Sequence, residues 1–136
     1  MRQKGFATLE VILMVMVIGI LASIAVPRFT AVTTAANTAK IQSDLTTIDT
    51  AIAIYQMEYG TDPASVDALV TAKYLQAKPD PPTGKCYLKS GSASTSTETA
   101  IPATSYTIQA ATTDVDTRAI LGAGNTAEKF VIPKKS

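Results

Sequence analysis

Hydrocarbon side chains crowd the first 29 residues and then thin into a stripe, and that change of pattern divides the chain. From Val11 to Val26 there is no charge, and only Gly19 and Ser23 depart from hydrocarbon. A helix of about 20 such residues crosses the core of a bilayer, so residues 6–28 are expected to be a membrane segment. Beyond Phe29 neither proline nor glycine occurs before Gly60. Ile41, Leu45, Ile48, Ile52, Tyr55 and Tyr59 follow at alternating gaps of four and three, which is one face of a helix. Lys40, Ser43, Asp44, Thr47, Asp49 and Thr50 fall largely elsewhere on the wheel. The apolar segment and the amphipathic one therefore read as one helix over 6–59, roughly 80 Å long if unbroken. Pro27 removes a backbone donor and should kink it rather than stop it, because the periodicity resumes. Gly19 is the second weak point.

After Gly60 the pattern shortens. Asp62 and Pro63 suit a helix start, and Val66, Leu69, Val70 and Tyr74 give the apolar side of a short helix over 63–75. The run from Gln76 to Gly84 holds three prolines and excludes helix and central strand. Lys85–Lys89, Ser105–Ala111, Arg118–Leu121 and Lys129–Ile132 read as short strands. The polar stretch Ser90–Thr99 reads as an exposed loop or hairpin tip. Together these predict an α+β fold: a long N-terminal helix packed on a small antiparallel sheet of three to four strands, with residues 60–136 as a globular head.

Charge decides orientation and raises one difficulty. Arg2 and Lys4 precede the apolar run with no acid beside them, which places the N-terminus in the cytoplasm and the head outside. Glu10, however, lies inside that run, where an ionised carboxylate costs at least ~2.5 kcal/mol unless it is paired. A cut between Gly5 and Phe6 would create an α-amino group one helical turn from Glu10. Within one chain the acid would help neutralise that amine; between chains it would set the register of neighbouring helices. A conventional secretory signal, with Ser23-Ile24-Ala25 as its small-x-small cleavage site, and a plain signal anchor fit the charge pattern too. Neither accounts for Glu10.

The order of a basic leader, Gly5, Phe6, a small residue, Thr8, Leu9, Glu10 and an apolar helix with Gly19 and Pro27 resembles the class III signal and N-terminal helix of type IV pilins and pseudopilins. The stretch from Tyr59 to Gly84 resembles the helix-to-sheet connection of pseudopilins and Gram-positive pilins. The resemblance implies a leader, residues 1–5, removed by a prepilin peptidase that also methylates Phe6. It implies subunit assembly through Phe6, Thr8 and Glu10, and helix flexibility at Gly19 and Pro27. The implied partners are membrane lipid before assembly, other copies in a helical filament, and an assembly platform with its ATPase. The function it implies is that of a structural subunit of a type IV pilus-like filament outside the cytoplasm. The alternatives are a major pseudopilin of a type II secretion-like machine, or a competence pilin for DNA uptake.

Composition narrows the chemistry further. Net charge is +1, and loss of Arg2 and Lys4 would leave side chains summing to −1, so no strong field for nucleic acid is implied. The seven lysines between Lys73 and Lys135 read as solvated surface, and DNA is a partner only in a competence system. Histidine is absent and Cys86 is the single cysteine, so the usual nucleophile–base pairs cannot be assembled and an enzyme is not expected. Cys86 reads as a buried apolar residue. Cofactors are not expected. Asp114, Asp116 and Asn125 carry the oxygen ligands that Ca²⁺ takes, as in the major pseudopilins the chain resembles. Two aspartates one residue apart more often form a solvated turn, so no calcium site is expected.

Overall fold

A computed structural model describes residues 2–91, 95–113 and 115–133. The chain divides into two compact units, Met1–Thr33 and Thr34–Ser136, and helix α1, Arg2–Tyr59, supplies residues to both. In the first unit every described side chain from Lys4 to Ile24 is exposed, and Ala25 is the first to be half-covered.

The second unit holds the core. Ile41, Leu45, Ile48 and Ile52 are buried as the sequence stripe predicts, while Tyr55 is half-buried and Tyr59 exposed. Against them pack Val66 and Leu69 of α2 (Val66–Thr71), Leu75, Cys86 of β1 (Lys85–Lys89), Tyr106 of β3 (Tyr106–Gln109), Ala119 and Leu121 of β4 (Arg118–Leu121), and Phe130. The fold is α+β as expected. Its strands, however, form two separate antiparallel pairs, β1–β2 and β3–β4, rather than one sheet. Each pair is a hairpin, and isolated two-stranded hairpins are marginal in water, so both depend on the helix face.

Three boundaries differ from the sequence reading. Strand β2, Ser96–Ala100, lies within and just past the stretch read as a loop, and pairs in register with β1 from Lys89↔Ser96 to Lys85↔Ala100. The strand expected over 129–132 is replaced by a single 3₁₀ turn, Ala127–Lys129, followed by irregular chain in which only Phe130 is buried. The helix expected over 63–75 contracts to α2. Its N-cap is Ser65, whose Oγ accepts from the Ala68 N–H at 3.3 Å, and Asp62 does other work described below.

The end of α2 explains the shortening. The Tyr74 N–H bonds the Leu69 carbonyl and the Lys73 N–H bonds the Val70 carbonyl, both at 3.0 Å. That pair of bonds is a Schellman stop, which needs a left-handed residue. Lys73 fills that place at φ 64°, alone among the described non-glycine residues in having positive φ. A side chain there is strained and a glycine is not. Lys73→Gly should therefore raise head stability by about 0.5–1 kcal/mol, read as an upward shift of the urea midpoint without a change in slope.

Candidate functional site

The candidate assembly surface is built from the first turns of α1. Phe6 and Glu10 are four residues apart in continuous helix and so share a face. Phe6 is 75 % exposed, and Leu9, Val11, Leu13 and Met14 around Glu10 are each more than half exposed. Glu10 is thus a carboxylate set in a hydrocarbon surface, and among the described residues no cation pairs with it. Thr8 donates from Oγ1 to the Lys4 carbonyl at 3.0 Å, a bond that spans the Gly5–Phe6 junction.

Gly19 and Pro27 lie within unbroken helix. A Cβ added at Gly19 would meet nothing within 4 Å, so no contact inside this chain requires a glycine there. Pro27, lacking an N–H, leaves the Ser23 carbonyl without its helical donor. Hydroxyl groups cluster around that gap: Ser23 donates to the Ile20 carbonyl at 2.7 Å and Thr30 to the Val26 carbonyl at 3.3 Å. Such back-bonds bend helices and loosen the ladder slightly. The same helix is long and apolar enough to cross a membrane, and no residue of its most apolar window is buried.

Asp116 is exposed, and Asn125 is engaged through its backbone carbonyl, which accepts from the Leu121 N–H at 2.9 Å. Asp114 lies outside the described residues. Among the described residues no group of three His, Cys, Asp or Glu side chains could hold a metal ion. Cys86 is fully buried, and burial pushes its thiol above the usual range.

Polar side chains of α1, with Asp62 just beyond its end, perform a role that the sequence reading missed. Thr38 is buried; its Oγ1 accepts from the Tyr87 N–H of β1 at 2.8 Å and donates to the Thr34 carbonyl at 2.7 Å. Asn37 donates through Nδ2 to the carbonyls of Thr83 and Lys85, each at 3.1 Å. These neutral groups hold the first hairpin. Carboxylates hold the second. Asp44 accepts from the Tyr106 hydroxyl at 2.7 Å and from Lys40 at 2.6 Å. Burial of Tyr106, with Asp44 beside it, pushes that phenol above its ordinary range. Asp49 accepts from the Ala119 N–H at 2.6 Å; burial raises its carboxyl despite that bond and the charge of Arg118. Asp62 accepts from Thr117 at 2.6 Å and from Gln56 at 2.8 Å, and those two bonds hold its carboxyl below the usual range. A signal for the first group was present, since Thr34 and Thr38 extend the four-and-three spacing backward from Ile41.

No family profile matches the chain, and no solved structure matches it. Curated relatives do. The chain is 31 % identical over 93 residues to the type II secretion system core protein G of Escherichia coli strain K12, covering 66 % of this chain and 61 % of the relative. It is 31 % identical over 81 residues to the protein of the same name from Pectobacterium carotovorum, covering 57 % and 52 %. To the type IV narrow pilus major component PilA5 of Thermus thermophilus it is 43 % identical over 54 residues, covering 40 % and 47 %. The chain is similar to type IV pilins and pseudopilins. It spans about half to three-fifths of the length of the secretion relatives it matches.

Proposed function

We propose that this chain is a structural subunit of a type IV pilus-like filament and that it polymerises through residues 6–28. The observation that carries the reading is Glu10 standing one turn from Phe6 on an exposed hydrocarbon helix, with no cation among the described residues to pair with it. Cleavage after Gly5 supplies the missing cation as the Phe6 amine, which a prepilin peptidase then methylates. Before assembly the apolar helix sits in the cytoplasmic membrane, N-terminus inside, with the head outside. The assembly platform and its ATPase then move it into a helical filament, where Gly19 and Pro27 let the helix adjust.

The pseudopilin reading is kept because the relatives that cover most of the chain are secretion core proteins G. Electron microscopy of the host separates the two: surface filaments carrying the subunit support a pilus, and a secretion defect in a deletion strain without surface filaments supports a pseudopilin.

Processing gives the direct test. Mass spectrometry of the mature protein should find a chain beginning at Phe6 with one added methyl group. A mature start at Val26, after the Ser23-Ile24-Ala25 site, or an intact Met1 would overturn the filament-subunit reading.

A further inference from the structure

A single oxygen of Asp44 joins separate parts of the head. Its Oδ2 accepts from the Lys40 ammonium at 2.6 Å and from the Tyr106 hydroxyl of β3 at 2.7 Å. The same ammonium donates to the Asp80 carbonyl at 2.8 Å. Asp80 stands in the irregular run from Gln76 to Thr83, whose three prolines have no backbone N–H to give. Side chains hold that run: Lys78 pairs with Asp67 of α2 at 2.9 Å, Lys40 takes the Asp80 carbonyl, and Asn37 takes the Thr83 carbonyl at 3.1 Å. It is a strap between α2 and α1. Its exposed Lys78–Asp67 pair contributes little, which leaves the α1 side chains as its main fastening.

Tyr106 has the stricter need. Its side chain is buried, and its hydroxyl gives its proton to Asp44; a buried hydroxyl left without an acceptor is costly. Burial, with the charges of Asp44 and Asp80, pushes that phenol above its ordinary range, so the hydroxyl stays a donor. An aspartate on a helix flank can take several rotamers. Lys40, one turn before Asp44, holds it in the one that Tyr106 meets, so the phenol finds a carboxylate whose freedom is already spent.

We infer that Asp44 is a coupling point through which the strap and the second hairpin tighten or loosen together. Lys40 clamped on the Asp80 carbonyl keeps Asp44 set for Tyr106, and drawing the strap away unsettles β3–β4. The dependence is reciprocal, because two interactions that share one group bias each other equally. Nothing from residues 6–28 enters it, so it stands apart from the filament reading.

The test is amide hydrogen exchange and ¹⁵N relaxation on the full chain in detergent micelles. Lys40→Met should raise exchange of the β3 and β4 amides about threefold to tenfold, a coupling of the size found within one hydrogen-bond network, although the bonds of Lys40 go to Asp44 and Asp80 and not to either strand. The Ile48–Ile52 amides of α1 should keep their protection. Tyr106→Phe should in turn lower the order parameter of the Asp80 amide. Lys78→Met, which removes the other ion pair of the strap without touching Asp44, should leave β3–β4 exchange unchanged. In the Lys40→Met, Tyr106→Phe double variant the rise should be smaller than the product of the two single rises. Unchanged β3–β4 exchange in Lys40→Met, an equal rise in Lys78→Met, a rise shared by Ile48–Ile52, an unchanged Asp80 amide in Tyr106→Phe, or a multiplicative double variant would each overturn the inference.

Discussion

In cells carrying Glu10→Ala, filaments should vanish from electron micrographs while processed subunit accumulates to its normal level in the membrane. The carboxylate sits among exposed hydrocarbon with no cation beside it among the described residues, where an unpaired charge costs at least ~2.5 kcal/mol. Pairing with a Phe6 amine removes that cost and gains a bond strengthened by the low dielectric. Alanine removes both the cost and the bond, so insertion and cleavage remain favourable and only assembly loses its register. Glu10→Gln keeps the shape without the charge and should also assemble poorly. Abundant filaments from the alanine variant would show that polymerisation rests on hydrocarbon packing alone.

The second large effect is expected in the head, at a turn. Gly122 has φ +71°, and a Cβ built there would stand 2.8 Å from the Pro102 Cβ. Gly124 has φ +72° but its Cβ would find only the Gln109 Oε1, at 3.9 Å. Gly124→Ala should cost about 1–2 kcal/mol for the left-handed backbone alone. Gly122→Ala carries the same strain plus an overpacking cost of about 1–3 kcal/mol, enough to threaten a small head. Pro102→Ala in the Gly122→Ala background removes part of the crowding and should recover part of the loss. Thermal melts of the four proteins measure this, and equal losses at the two glycines would show that the Pro102 contact relaxes freely.

What could be read in the sequence, and what could not, divides along a physical line. The Ile41 to Ile52 stripe was legible because burial along a helix repeats every three or four residues, and β1 and β4 were legible because each holds a short apolar run, Cys86-Tyr87-Leu88 and Ala119-Ile120-Leu121. Strand β2 was not, because STETA has no large apolar side chain and none of its residues is buried; only its pairing with β1 makes it a strand. The opposite error occurred at Lys129–Ile132, where β-branched residues suggested a strand but a single buried anchor, Phe130, suffices to tie the chain down. Asp44 and Asp49 carry no local signal of their partners, since a carboxylate on the helix flank reads as solvated until Tyr106 and Ala119 arrive. The candidate assembly residues Phe6 and Glu10 stood out in the sequence because a charge inside hydrocarbon breaks a pattern, which a polar latch on an already polar face does not.

Those latches also govern how the head must reach its folded state. Thr38 meets Tyr87 across 49 residues of chain, Asp62 meets Thr117 across 55, Asp44 meets Tyr106 across 62 and Asp49 meets Ala119 across 70. The hairpins themselves close locally within about 1–10 μs, yet a lone pair of strands is marginal. Each hairpin therefore flickers until it docks on the helix, and docking requires the closure of long loops before any latch is gained. Folding is accordingly limited by the meeting of distant partners, and during that search the apolar stripe of α1 stands uncovered.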